Sequence, residues 1–398
     1  MVSWAFFVRG LEPSFVGNAL AIRMAETERV VAIGQNVSLI RSPSQLPFHK
    51  RVSQPPTTSI GAYYRPIHFP VRVPIAGTAC ERLNISLFRR EMGQLLPDRP
   101  NIVCYDSPKQ HSLIGVLRED LTVYYVTDDL TVTVQGTPIQ GEWEMEQRLL
   151  KRVHLIVCIN GSLAEKMRER TVHLGQIPIH VVPNFYDERV FDPKITHPEP
   201  QPLRRVPRPR ILVAGHISER IDWEGIITAS RLKPEWSWVF LGRVADPGME
   251  ERVGWLEGRG TLMAGVPFAE VPAWIQHSDV CAVPYRLNPF TLASDPLKAP
   301  EYLAMGAATL STRIPALARF EEAIHWVEEG NGESYARALD RVAQQSGNNR
   351  LGMLRRRAAA PDSLAARADQ FRTIILEHLK APLNEQKEFF RAHQSAGG

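Results

Sequence analysis

A proline-rich stretch, DPKITHPEPQPLRRVPRPR at residues 192–210, divides a chain whose two sides each alternate short β-rich runs with segments of helical period. Its six prolines fix φ and remove backbone donors, so neither a helix nor a sheet propagates through it, and it reads as a semi-rigid exposed connector. The alternation on either side is the pattern of parallel strands joined by crossover helices. Before the connector, strands are expected at 3–8, 29–33, 102–105, 121–126, 155–160 and 180–182, with helices at 18–26, at 142–152 and after Ser162, whose hydroxyl would cap the last. Beyond it, strands are expected at 210–214, 238–241, 261–264, 280–285 and 308–311, and helices at 224–232, 250–257, 269–276 and 300–305. The organisation is thus an α/β domain at 1–191, a connector at 192–210, a second α/β domain at 211–362, a helix at 363–380 returning towards the first domain, and a flexible tail at 381–398.

With 398 residues, 44% of them hydrophobic and 23% charged, the chain is long enough for two cores and ordinary enough in composition to exclude wholesale disorder. Forty-seven Lys and Arg against 43 Asp and Glu leave a net charge of +4, compatible with anionic ligands but too mild for a dedicated nucleic-acid binder. The four cysteines form no C-x-x-C pair, and the 12 histidines show no ligand-like spacing, so neither a disulfide framework nor a metal site is expected. No apolar run reaches membrane-spanning length and the opening residues lack a basic leader, which points to the cytoplasm, with any membrane contact peripheral at its inner face.

Open parallel sheets bind ligands in the loops at the carboxyl ends of their strands. The first such loop, RGLEPSFVG, carries Gly10 and Gly17, where glycine permits close backbone approach and a helix start attracts an anion; an ordinary surface loop is the alternative. Gly215 opens GHISERIDWEG after the first strand of the second domain, and Arg243 follows the next strand. The densest segment is DPLKAPEYLAMGAATLST at residues 295–312, in which Pro300 suits a first helical turn and Lys298 and Glu301 lie three apart. A phosphate could meet the ammonium and the helix dipole there while the carboxylate accepts two hydrogen bonds from a sugar diol; as bare spacing, Lys-x-x-Glu is also a common solvated pair.

This segment resembles the nucleotide-sugar site of group 1 glycosyltransferases, retaining enzymes of the GT-B fold found in bacterial polysaccharide and glycoconjugate biosynthesis, whose helix reads P-L-K-x-x-E-Y-L-A-x-G. VPNFYDERVFDP is similar to the family's V-P-N-G-V-D-x-x-x-F, GHISERIDWEGI to its first donor-domain loop and helix, and GVPFAEVPAWIQHSDVCAVPYR to its base-binding loop and following strand, so the likeness covers residues 142–315. The resemblance implies two Rossmann-like domains facing across a cleft, and a metal-independent transferase that moves a sugar from a nucleoside diphosphate donor to a glycan, lipid-linked or small-molecule acceptor. By it, Glu301 binds the ribose, Lys298 and the Gly215 turn the diphosphate, and Val266 and Phe268 flank the base.

Three departures accompany the resemblance. The family's first glutamate, eight residues before Glu301, is Ala293 here, its role vacant or moved to Asp295; the loop's basic residues are replaced by His216 and Asp222, leaving Arg220 or Arg243 as substitutes; and the glycine after V-P-N is Phe185. On the acceptor side, TDDL and YDSPKQH follow strands, and Asp128 could act as general base, or Asp128 and His111 could position the acceptor while the departing phosphate takes the proton. An Asx turn or a helix cap is the alternative for the acidic pair. ACERLNISLFRREMGQLL interleaves Arg82, Arg89 and Arg90 with apolar residues, as a peripheral membrane helix or a core-facing amphipathic helix would. A catalytically silent nucleotide- or glycan-binding scaffold and a nucleotide-sugar epimerase on the same fold are the alternative functions.

Overall fold

The computed structural model of the chain describes residues 2–7, 16–34, 37–38, 52–53, 60–64, 67–68, 77–95, 101–133, 137–345 and 347–380. Two compact units emerge, one holding the chain to Val182 and again from Ala368, the other Pro183–Arg367. In the first unit the strands are β1 (Ser3–Phe7), β2 (Arg29–Ile33), β3 (Val37–Ser38), β4 (Val52–Ser53), β5 (Ile60–Tyr64), β6 (Ile67–His68), β7 (Ile102–Tyr105), β8 (Leu121–Val126), β9 (Leu155–Cys158) and β10 (Ile179–Val181). Its described helices before the unit boundary are α1 (Val16–Met24), α2 (Gly77–Leu95), α3 (Gln140–Leu150) and α4 (Gly161–Thr171).

Eight of these strands form one sheet in the order β10-β9-β8-β7-β1-β2-β5-β4, parallel except for the antiparallel edge pair β4–β5, while β3 and β6 pair separately. The central strands IVCY, LTVYYV and LIVC are buried along their whole length, as parallel strands covered on both faces must be. Helix α2 turns Phe88 and Met92 inward and leaves Arg82, Arg89 and Arg90 exposed, with Phe88 stacked on Phe7 at 6.3 Å. Phe88 and Met92 therefore face the core, while Leu83 is exposed. Asn160, not Ser162, caps α4: its side chain accepts from the Leu163 amide at 2.8 Å, because β9 ends early enough for the helix to start at Gly161.

The second unit has strands β11 (Arg210–Ala214), β12 (Ser237–Leu241), β13 (Gly260–Met263), β14 (Val280–Val283), β15 (Thr309–Thr312) and β16 (Ile324–Val327) in one wholly parallel sheet, order β13-β12-β11-β14-β15-β16. Its helices are α5 (Trp223–Leu232), α6 (Met249–Gly254), α7 (Val271–Gln276), α8 (Pro289–Leu292), α9 (Lys298–Ala304), α10 (Gly332–Gln344) and α11 (Asn349–Ala359). β16, α10 and α11 lie in a region the sequence reading leaves unassigned. Asn331 caps α10 and Tyr335, Ala338, Leu339 and Val342 form its buried stripe.

The proline-rich stretch is exposed along much of its length and is anchored to the second unit at a few residues. Leu203 and Val206 are buried in the second unit's core with Phe191, Arg210 pairs with Glu199 at 2.6 Å, and Arg208 pairs with Asp279 at 2.7 Å. Proline backbones carry no N–H to satisfy, so such a segment packs onto a core without joining a sheet.

The last described helix, α12 (Leu364–Lys380), starts in the second unit, where the Leu364 amide donates to the Tyr186 carbonyl at 2.8 Å. From Ala368 onward it belongs to the first, where Phe371 lies against Trp4, Phe6 and Tyr125 at ring distances of 6.4, 6.2 and 5.4 Å. No helix among the described residues is long and apolar enough to cross a membrane. The tail expected at 381–398 lies outside the described residues.

Phe371 is fully buried, and Phe371→Ala is expected to destabilise the first unit by about 3–5 kcal/mol through lost burial and a residual cavity. Urea unfolding of the full chain followed by tryptophan fluorescence measures it.

Candidate functional site

The carboxyl ends of β11 and β12 meet at two glycines. Gly215 has φ 128° and donates its N–H to the Leu241 carbonyl at 2.9 Å; Gly242 has φ 151°, and a Cβ there would overlap the Gly215 carbonyl oxygen. Only glycine allows this approach. A Cβ on Gly215 would stand 3.8 Å from Lys298 Cε, so the lysine stem runs past the turn. Lys298 is the first residue of α9, and one turn later the Tyr302 hydroxyl accepts from the Ala214 amide at 3.2 Å, tying the helix to the end of β11.

Lys298 Nζ donates to Glu301 Oε2 at 3.0 Å. The lysine side chain is 23% exposed and the glutamate 3%. Burial raises the Glu301 carboxyl pKa, with Lys298 opposing the shift. Beside them His216 is exposed, and its pKa is lowered by partial desolvation and by the charges of Arg220, Arg243 and Lys298. The Arg220 guanidinium lies over the rings of Tyr285 and Phe290, 5.5 and 5.8 Å from their centroids. Among the described residues no carboxylate pairs with Arg220 or Arg243, so this turn gathers cations around His216, and one of them, Lys298, reaches the buried acid. Such an arrangement attracts an anion and offers a carboxylate to hydroxyl groups next to it.

Val266 and Phe268 follow β13 half-buried against the core, with Phe268 edge-on to Phe191 at 5.4 Å. The structure therefore brings Gly215, His216, Arg220, Arg243, Lys298 and Glu301 together. Gly242, Tyr285 and Phe290 were missed by the sequence reading; the glycine directly after β12 in LGRV was the available signal.

Asp295 is a correction. Its side chain is fully buried, both oxygens take the Arg319 guanidinium, at 2.9 and 3.2 Å, and Oδ2 also accepts the Asn184 amide at 2.9 Å. Arg319 bonds Asp362 at 2.7 Å as well. A carboxylate so enclosed cannot serve a substrate, and it does not take over the role of the glutamate that Ala293 replaces. Asp222, in place of a loop cation, caps α5 through the Gly225 amide at 3.1 Å and takes the Tyr335 hydroxyl at 3.0 Å.

The remaining candidates lie in the first unit. Asp128 follows β8 half-buried, its carbonyl accepting from the Leu130 amide at 3.1 Å. Its neighbour Asp129 is buried, bonded to Thr131, to Lys166 at 2.9 Å and to Arg170 at 2.9 Å, and Arg170 also pairs with Glu146 at 2.7 Å. Burial alone would raise the Asp129 pKa, but these donors outweigh it and hold it at about 2. His111 lies in a 3-10 helix, Pro108–Leu113, with Nδ1 3.2 Å from the Pro108 carbonyl, so that nitrogen carries the hydrogen. Both residues thus follow the carboxyl ends of adjacent parallel strands, β7 and β8. Gly17 is in the first turn of α1, and Gly10 lies outside the described residues. Among the described residues no group of three or more His, Cys, Asp or Glu could hold a metal ion.

No family model matches the chain. In sequence it is similar to the putative teichuronic acid biosynthesis glycosyltransferase TuaH of Bacillus subtilis (strain 168), 24% identical over 217 residues. The match covers 54% of this chain and 54% of TuaH, so the chain spans about half the length of the curated relative. In structure it is similar to sucrose-phosphate synthase (tll1590) from Thermosynechococcus elongatus, TM-score 0.71 at 15% identity over 96% of this chain and 100% of that one. It is likewise similar to the E. coli trehalose-6-phosphate structure bound with UDP-2-fluoro glucose, TM-score 0.69 at 10% identity over 96% and 99% of the two chains. The third is Anabaena Alr3699/HepE in complex with UDP and glucose, TM-score 0.63 at 12% identity over 96% and 100%. Identities this low carry the fold alone, and the fold is GT-B, with two Rossmann-like units.

Asp129→Asn is expected to destabilise the chain by about 3–5 kcal/mol at pH 7, because Lys166 and Arg170 lose a buried counter-charge. Its folded pKa, about 2, lies below the unfolded value, so this contribution is complete above ~pH 4 and is lost as pH falls towards 2. Urea midpoints of wild type and variant should converge over that window and stay apart above it.

Proposed function

We propose that the chain is a glycosyltransferase that takes a sugar from a nucleoside diphosphate donor held by its second unit. The observation that carries this reading is the Lys298–Glu301 pair at the start of α9, set against the Gly215 turn with His216, Arg220 and Arg243 around it. A diphosphate suits the cations. The buried Glu301 carboxylate suits the ribose diol, since it accepts two charge-assisted hydrogen bonds in a site with little competing water. The likeness to TuaH supports sugar transfer, and a glycan or lipid-linked acceptor fits a glycosyltransferase of teichuronic acid biosynthesis.

The leaving diphosphate gains negative charge as the glycosidic bond breaks. Lys298, Arg220 and Arg243 stabilise that charge from fixed positions, which is the work a divalent ion does elsewhere, so the reaction proceeds without a metal. Val266 and Phe268 give the base an apolar contact. In the retaining course, the departing phosphate takes the acceptor proton, and Asp128 and His111 position the acceptor.

The experiment is release of nucleoside diphosphate and transfer to acceptor across a donor panel, run in EDTA. Lys298→Ala and Glu301→Ala should each lower kcat/KM at least ~100-fold, of the order seen when a group aimed at developing charge or a charged hydrogen-bond partner is removed. Because burial raises the Glu301 pKa, the acid limb of donor binding should lie above that of an ordinary carboxylate, with binding lost as pH falls through it. Binding without release of diphosphate would identify a scaffold, and donor conversion without acceptor an epimerase. Unchanged rates in both variants would remove the pair from the site.

A further inference from the structure

The second unit contains a buried cation that the donor reading does not use. Arg355, on α11, is 9% exposed and has no carboxylate partner among the described residues. Among the described residues its guanidinium makes only long contacts, 3.4 Å to the Gly306 carbonyl and 3.5 Å to His325 Nε2. Other arginines withdrawn from water are treated differently. Arg210 pairs with Glu199, Arg170 lies between Asp129 and Glu146, and Arg319 between Asp295 and Asp362. For Arg170 and Arg319 these acids outweigh burial and raise the pKa; for Arg355 burial prevails and lowers it.

More positive charge surrounds Arg355. The Arg356 guanidinium stands against Gly306 and Gly352, where a Cβ on either glycine would meet it. His325 is held at about 4 by burial and by the charges of Arg355 and Arg341. Neither Arg341 nor Arg356 forms an ion pair with a described residue. Gly306 precedes β15, His325 is the second residue of β16 and Cys281, which also acts on Arg355, the second of β14. These contacts place the cluster at the amino ends of the parallel strands, the opposite edge of the sheet from Gly215 and Arg243.

We propose that Arg355, with Arg341, Arg356 and His325, forms a second anion site that binds a phosphate group. The guanidinium supplies planar donors matched to phosphate oxygens, the bound group supplies the missing counter-charge, and no described carboxylate pairs with Arg355, Arg341 or Arg356 to compete with it. The source of the phosphate is either a free anion or a lipid headgroup. The same helix exposes Met353 and Leu354 at 54% and 38%, next to the exposed Arg350 and Arg357.

The test uses the full chain carrying Lys298→Ala and Arg243→Ala, so that the donor turn does not contribute, and titrates inorganic phosphate against potassium chloride at matched ionic strength. Thermal unfolding should shift upward with phosphate beyond the chloride effect. Arg341→Gln, at an exposed position, should weaken phosphate binding about fivefold or more, and Arg355→Met should abolish it while leaving unfolding in chloride unchanged or slightly raised. Arg205→Gln, which removes an exposed charge from the proline-rich stretch, should have no effect. A second arm sediments the protein with phosphatidylglycerol vesicles against phosphatidylcholine vesicles. Binding to the former that is lost in Arg355→Met and kept in Arg205→Gln assigns the phosphate to a lipid; a response to inorganic phosphate alone assigns it to a free anion. A phosphate response no larger than chloride's without vesicle binding, or responses that Arg341→Gln and Arg355→Met leave intact or Arg205→Gln reduces equally, would overturn the site.

Discussion

Glu301 keeps almost none of its side chain in water, and a carboxylate in that position ionises only opposite a cation. Helix α9 supplies that cation one turn earlier, as Lys298, and the position of both is inherited from the sheet. The Tyr302 hydroxyl holds the Ala214 amide at the last residue of β11, so the first turn of α9 is registered against the strand that leads into Gly215. The Gly215 carbonyl in turn leaves no space for a side chain at Gly242. The lysine, the acid and the turn therefore form one assembly. Strand register, a helix start and a close backbone approach fix it together.

Buried charge is handled in two ways in this protein, and the difference separates framework from site. Asp129, Arg170 and Glu146 in the first unit and Asp295, Arg319 and Asp362 in the second are closed sets, in which each charge faces partners of opposite sign. Such sets are costly to break and have no capacity left for a ligand. Around Gly215 the balance is open: Arg220, Arg243 and Lys298 gather about His216, and only Lys298 is paired with a carboxylate among the described residues. By the same criterion Asp129 is committed to framework. The criterion also removes Asp295, which sequence order alone places close to Lys298.

Much of the fold was legible because parallel strands buried on both faces are written as uninterrupted apolar runs. IVCY and LTVYYV begin and end in the structure where these runs do. The core of the candidate site was legible because Lys298 and Glu301 are one helical turn apart, a relation contained in local sequence. What escaped depends on distance along the chain. Arg319, which neutralises Asp295, follows it by 24 residues, and Tyr285 and Phe290 reach Arg220 only through the packing of the loop after β14. β16 is four residues long and buried only at its ends, so IHWV carries neither alternation nor a continuous apolar run. The proline-rich stretch is exposed over much of its length, as its composition suggests, but its anchoring was not legible: it forms a 3-10 turn at Leu203–Arg205, and Leu203 and Val206 supply the apolar contacts that place it on the core.

Under the proposed function, the cation cluster adjusts its charge to its ligand. His216 is pushed towards its neutral form by partial burial and by three like-charged neighbours, which limits the repulsion among these cations. A diphosphate beside Arg220, Arg243 and Lys298 reverses the sign of the field at the imidazole and favours its protonation, adding a donor when negative charge is present. Lys298 makes the complementary change. Paired among the described residues with Glu301, it has ammonium hydrogens left for phosphate oxygens, so the acid keeps its counter-charge while turning its remaining acceptor capacity to the sugar hydroxyls.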